Sequence, residues 1–171
     1  MDTKKIIIIV IAVIIVLTVA FGIYYYFNFS KPEIKYENIN VTSTFSLDIP
    51  ISDNITNKTI SNRINIINDT KDEVTITSFN SDGTSFDELL TDGPQFAALR
   101  DSYKIGSEQI QLANQTVWYN ENTGYYMVYY SLEETHDNVI IVSKNNDTLA
   151  HMMSTVKIPS GNVVNSSSAE I

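Results

Sequence analysis

Aromatic side chains are the residues of this chain whose types and spacing best fit a binding surface. Tyr125, Tyr126, Tyr129 and Tyr130 fall in one predicted strand, and Trp118 falls in the strand before it. Successive side chains of a strand point to opposite faces, so Tyr126 and Tyr130 share one face, and Tyr125 and Tyr129 share the other. We expect one of these pairs to face solvent, away from the helices.

An exposed aromatic surface combines a large apolar area with a polar edge, which suits it to hold a glycan or a peptide. We therefore predict a ligand platform formed by Trp118, Tyr126 and Tyr130. The alternative is purely structural, because tyrosine favours strands and forms cross-strand pairs without any ligand.

Residues that could catalyse a reaction or bind a metal are few. The chain has two histidines and no cysteine, which excludes thiolate nucleophiles, thiolate metal ligands and disulfides. Glu133, Glu134, His136 and Asp137 share one predicted hairpin loop and could hold a divalent cation weakly, but a solvated charged turn is the better interpretation. Motifs of hydrolases, zinc proteases, nucleotide-binding loops and dinucleotide folds are missing from the sequence. We predict no catalytic residue, no metal site and no cofactor; the alternative is a hydrolase or metal-dependent enzyme with an unrecognised site.

Asparagine lies in eight Asn-x-Ser/Thr triplets, each a candidate for N-glycosylation if it is exposed outside the cytoplasm. The same residue types also cluster in turns, which explains part of this number. The candidate glycosylation sites are Asn40, Asn54, Asn57, Asn68 and Asn114.

Charge limits the partners of the protein. The chain has 20 acidic and 11 basic residues, for a formal net charge of −9. A surface of this sign repels the phosphates of nucleic acid, so we predict no nucleic-acid partner.

Residues 6–27 form an uncharged apolar run, and two lysines precede it. A helix of that length would reach across a bilayer, and the preceding positive charge would stay in the cytoplasm. We predict a single-pass signal anchor in the cell membrane, with the bilayer as partner of residues 6–27. The alternative is a secretory signal that is cleaved after Gly22.

This span sets the predicted domain organisation. Residues 1–5 are a cytoplasmic N-terminus, 6–27 the transmembrane helix, 28–44 a stalk, 45–159 an extracytoplasmic domain and 160–171 a disordered tail. The predicted function is non-catalytic binding or assembly at the cell envelope, with an envelope glycan or a surface protein as partner.

Residues 45–159 alternate between strand-like and helix-like patterns. We predict about seven short strands, a polar loop at 52–61, a central helix broken at Pro94 and a last helix capped by Asn145 or Asn146. Residues 139–142 are apolar on both faces, which is typical of a central strand. The fold class is α+β, with a transmembrane helix followed by one domain that has a mainly antiparallel sheet and two helical segments.

The element order resembles that of the PsbP-like proteins, which are α-β-α sandwiches. The resemblance rests on the early segment FSLDIP (45–50), on a central helix before a four-strand meander, and on the closing segment MMSTVKI (152–158). It covers residues 45–159 and implies a binding or assembly role of the kinds found in that fold group. It has no diagnostic motif and places no family site on this sequence.

Overall fold

The computed structural model of the protein describes residues 3–29, 34–61, 63–82 and 85–158. The chain divides into two compact units, Met1–Ile34 and Lys35–Ile171.

The first unit contains helix α1, Thr3–Phe29. Among the residues described, no helix combines the length and the apolar character that crossing a membrane requires. This finding corrects the predicted transmembrane helix over 6–27 and the predicted single-pass placement in the cell membrane with a cytoplasmic N-terminus.

The second unit is an α+β fold built on antiparallel strands. Its elements are β1 (Tyr36–Asn40), β2 (Ser46–Pro50), β3 (Ile55–Thr59), β4 (Ile64–Asp69), β5 (Val74–Asn80), α2 (Phe86–Lys104), β6 (Glu108–Leu112), β7 (Gln115–Asn120), β8 (Tyr125–Leu132), β9 (Asp137–Ser143) and α3 (Asn146–Ser154). Seven strands form one antiparallel sheet in the order β3-β4-β5-β9-β8-β7-β6, and β1 and β2 form a separate hairpin.

Both faces of the seven-stranded sheet are covered. On one face, α2 packs through Phe96 and Leu99 onto Phe79, Tyr129 and Ile140. The other face carries the larger core, in which the β1–β2 hairpin contributes Phe45 and Leu47 and α3 contributes Leu149 and Met152. Strand β9 lies between β5 and β8, and its residues 139–142 are all buried, which confirms the predicted central strand.

Helix α3 begins as the sequence indicates. The side-chain oxygen of Asn145 accepts hydrogen bonds from the backbone N–H groups of Asp147 and Thr148, so Asn145 is the N-cap. Leu149, Met152 and Met153 are buried on one side of the helix. The helix therefore packs on the sheet through this apolar side.

Three segments differ from the sequence-based expectation. The expected stalk at 28–44 includes β1, which pairs with β2 from Tyr36 onward. The expected polar loop at 52–61 includes β3, which pairs with β4 as an edge strand. Helix α2 continues through Pro94. The predicted tail at 160–171 lies outside the described residues.

Candidate functional site

The four tyrosines of β8 lie on two different faces of the sheet. Tyr125 and Tyr129 pack on the side of α2, whereas Tyr126 and Tyr130 pack on the side of α3 and the β1–β2 hairpin. Tyr129 is 8% exposed and Tyr130 is 2% exposed. The expectation that one pair faces solvent away from the helices is therefore wrong, because each face of the sheet has a helix over it.

Tyr130 is a core residue. Its ring lies 5.4 Å from that of Phe45, and its hydroxyl donates a hydrogen bond to Oε1 of Gln115 at 3.0 Å. Burial raises the pKa of the Tyr130 hydroxyl above its ordinary value. Tyr126, on the same face, is partly buried and stacks on Tyr119 with 4.5 Å between the ring centroids.

Trp118 lies on the opposite face from Tyr126 and Tyr130, together with Tyr103 and Tyr125. The predicted platform of Trp118, Tyr126 and Tyr130 is therefore not assembled, because β7 and β8 direct these side chains to opposite sides of the sheet.

Cations cover three of the rings on the α2 face. The guanidinium of Arg100 lies 5.3 Å from the centre of the Tyr129 ring, and the ammonium of Lys104 lies 5.5 Å from that of Trp118. The ammonium of Lys144 lies 5.1 Å from the centre of the Tyr125 ring. Each such contact contributes about 0.5–1 kcal/mol at an exposed position. Arg100 and Lys104 therefore help to hold the C-terminal half of α2 over the sheet.

Strand β6 forms the edge of the sheet next to β7, and its polar side chains lie on the same face as α2. Helix α2 contacts β5 and β7. The register places Gln109 opposite Trp118 and Gln111 opposite Thr116. Both glutamines are exposed, and Nε2 of Gln111 donates a hydrogen bond to Oγ1 of Thr116 at 2.9 Å.

We call Lys104, Gln109, Gln111, Thr116 and Trp118 the Trp118 surface. Trp118 is partly buried there, and its indole N–H is a buried donor without a hydrogen-bond partner in the described part of the chain. The surface joins an aromatic ring, one cation, two amides and a hydroxyl on neighbouring strands. Such a set can stack on an apolar ligand face and both donate and accept hydrogen bonds.

Sequence reasoning found Trp118 and missed the other four residues of this surface. The segment Gln-Ile-Gln-Leu (109–112) alternates between polar and apolar residues, which already predicts one polar face for β6. The register between β6 and β7, which brings that face beside Trp118, depends on the tight turn at Ala113 and Asn114, where both residues have positive φ.

The acidic hairpin loop does not bring its four candidate ligands together. Glu133, Glu134 and His136 are exposed, whereas Asp137 is fully buried. In the described residues, no group of three or more histidine, aspartate or glutamate side chains is placed to hold a metal ion.

The carboxylate of Asp137 instead ties three segments of the fold together. It accepts hydrogen bonds from the hydroxyls of Thr42 and Thr44, which follow β1, and from the amide of Asn80 at the end of β5. The burial of this charged group is therefore balanced by three donors from the protein.

Four of the candidate glycosylation asparagines are exposed: Asn40, Asn54, Asn57 and Asn114. The fifth, Asn68, is partly buried, and its side-chain oxygen accepts a hydrogen bond from Thr75 at 2.9 Å. Their modification stays a prediction.

Comparison with protein-family models, with curated proteins and with solved structures finds no match to this chain. The resemblance to PsbP-like proteins therefore stays a prediction.

Proposed function

We propose that this protein is a non-catalytic binding module that holds a glycan on the Trp118 surface. The observation that carries the proposal is the position of Trp118, partly exposed at the margin of α2, beside the solvent-exposed glutamines of β6 and beneath Lys104.

A sugar ring matches this surface because it has both apolar and polar faces. Its C–H groups pack on an aromatic ring, while its hydroxyls both donate and accept hydrogen bonds. The amides of Gln109 and Gln111 can do both as well, and the ammonium of Lys104 supplies further donors. The exposure of both glutamines leaves these amides within reach of a ligand.

A ligand can contact both strands of this surface at once. Neighbouring strands lie about 4.8 Å apart, so a sugar that spans β6 and β7 can touch Gln111 and Trp118 together.

Calorimetric titration of the full chain with neutral oligosaccharides tests this proposal. Gln111→Ala should weaken binding about threefold to tenfold, since one hydrogen bond contributes about 1 kcal/mol. Trp118→Phe should weaken it further, because the smaller ring loses contact area with the sugar. Gln95→Ala, which changes an exposed glutamine on α2, is the matched control and should bind like the wild type.

Unchanged affinity in both Gln111→Ala and Trp118→Phe would contradict the proposal. Failure of every oligosaccharide to bind at millimolar concentration would contradict it equally.

A further inference from the structure

The turn between β4 and β5 contains a buried carboxylate with an unusual hydrogen-bond pattern. Asp69, the last residue of β4, is 3% exposed. Its Oδ1 accepts hydrogen bonds from the backbone N–H groups of Lys71 at 2.9 Å and of Asp72 at 3.4 Å. One carboxylate oxygen therefore organises the turn.

The other oxygen of Asp69 is left without a protein donor. Oδ2 is buried and has no hydrogen-bond partner in the part of the chain that the structure describes. Buried carboxylate oxygens are almost always hydrogen-bonded or bound to a cation, so this atom points to a ligand outside the chain.

A second carboxyl lies beside the first. Asp72 is within hydrogen-bonding reach of the Asp69 side chain. Its pKa is raised above the ordinary value by burial first and then by the negative charge of Asp69, while the nearby charge of Lys71 acts in the opposite direction. Two carboxylates this close repel each other unless a proton or a cation lies between them.

We propose that Asp69 and Asp72 together bind a divalent cation of the calcium class in the β4–β5 turn. The two carboxylates offer only oxygen atoms as ligands, which suits a hard cation and disfavours zinc or copper. Calcium accepts flexible geometry with waters and backbone carbonyls completing its shell, whereas magnesium needs a stricter octahedron. With two carboxylates from the protein, the expected Kd is about 10⁻⁴–10⁻³ M.

This site is independent of the Trp118 surface. Asp69 and Asp72 lie at the β4–β5 end of the strand order, whereas Trp118 is on β7 at the other side of the sheet. Failure of one proposal therefore leaves the other standing.

Thermal unfolding of the full chain in EDTA, in 10 mM calcium and in 10 mM magnesium tests the proposal. Calcium should raise the Tm of the wild type, and magnesium should raise it less. In EDTA, Asp72→Asn should be at least as stable as the wild type, because it removes the repulsion between the two carboxylates. The same variant should no longer respond to calcium.

Asp82→Asn provides the matched control. Asp82 is an exposed aspartate just after the opposite end of β5, and its substitution removes the same charge from the protein. It should keep the full calcium response. Asp69→Asn preserves the oxygen that organises the turn and should also lose the response.

If calcium leaves the Tm of the wild type unchanged, the proposal is overturned. The carboxyl groups of Asp69 and Asp72 would then share a proton instead of a cation. A calcium response that persists in both Asp72→Asn and Asp69→Asn would overturn it as well.

Discussion

Asp137 illustrates how a residue that is polar in the sequence serves the packing of the fold. The acidic residues and the histidine at 133–137 predict a solvated turn or a weak cation site. Asp137, however, is the first residue of β9, and its side chain is buried. Its carboxylate then joins the segment after β1 to the ends of β5 and β9 through Thr42, Thr44 and Asn80.

Replacement of Asp137 by alanine should therefore destabilise the fold by about 3 kcal/mol, because three partly buried donors lose their acceptor. Urea unfolding followed by circular dichroism measures this loss. Asp53→Ala removes an exposed aspartate and should stay within about 0.5 kcal/mol of the wild type. A similar small effect for Asp137→Ala would show that the cluster is not structural.

The buried hydroxyl of Tyr130 should make the stability of the protein depend on pH. Burial raises its pKa in the folded protein, and unfolding exposes the hydroxyl to water, where its pKa is about 10. Folding therefore favours the neutral hydroxyl. The contribution of Tyr130 to the free energy of unfolding is complete below about pH 10 and is lost as the pH rises above that value. Tyr103, whose pKa is raised by burial and by Tyr125, acts in the same direction.

Tyr130→Phe should remove part of this alkaline loss of stability. At pH 7 the variant should lose about 1 kcal/mol, the value of its hydrogen bond to Gln115. Thermal unfolding between pH 8 and pH 11 compares the two proteins. Identical alkaline slopes would mean that Tyr130 does not contribute to the pH dependence.

At the scale of elements, α2 shows where tertiary contacts override local sequence. Pro94 removes a helical hydrogen bond and predicts a break, yet the helix continues from Phe86 to Lys104. Contacts on both sides of the proline explain this continuity: Asp92 accepts a hydrogen bond from Ser61, and Phe96 packs on Phe79 with 5.6 Å between ring centroids. These contacts are long-range, so no window of local sequence reveals them.

Glycine substitutions test this description of α2. Gly93 lies inside the helix, and a Cβ at that position would meet no atom within 4 Å apart from those of its two chain neighbours. Gly93→Ala should therefore stabilise the protein by less than the usual gain of about 0.5–1 kcal/mol, because the new Cβ crowds the ring of Pro94. Gly124, whose φ is +73°, is the contrast, and Gly124→Ala should destabilise it. Thermal unfolding of both variants measures these changes in stability. A Gly93→Ala variant that is less stable than the wild type would indicate that the helix is interrupted at this point.

The strands divide into those that the sequence predicts well and those that it does not. Residues 139–142 are apolar without interruption, which is the signature of a strand covered on both faces, and β9 is that strand. Strand β3 has only Ile55 partly buried among its five residues, so its composition resembles a loop. Its pairing with β4 is set by the partner strand, which local patterns do not report.

The candidate site depends on the same long-range information. Trp118 is recognisable from its residue type, but its neighbours Lys104 and Gln109 come from α2 and β6. Alternation along β8 predicts which tyrosines share a face. Whether a face is exposed to solvent depends on where α2 and α3 pack, which the alternation does not report. Trp118 lies on the α2 face, whereas Tyr126 and Tyr130 lie on the other face, so the three predicted residues do not form one surface.

At the scale of the second unit, one antiparallel sheet carries two separate apolar cores. The core beneath α3 and the β1–β2 hairpin is the larger, and the core beneath α2 is smaller and is bordered by aromatic rings that cations cover. The Trp118 surface lies at the border of the smaller core, toward the edge strand β6.

Fluorescence of the only tryptophan in the chain shows directly whether a glycan binds at the Trp118 surface, since intrinsic indole emission reports on Trp118 alone. Titration of the full chain with a neutral oligosaccharide should shift this emission in a saturable way, with the Kd found by calorimetry. Gln111→Ala should move the midpoint of that titration to higher ligand concentration, and Gln95→Ala should not. Binding heat without any change in the emission of Trp118 would contradict the account, because the glycan would then be bound elsewhere.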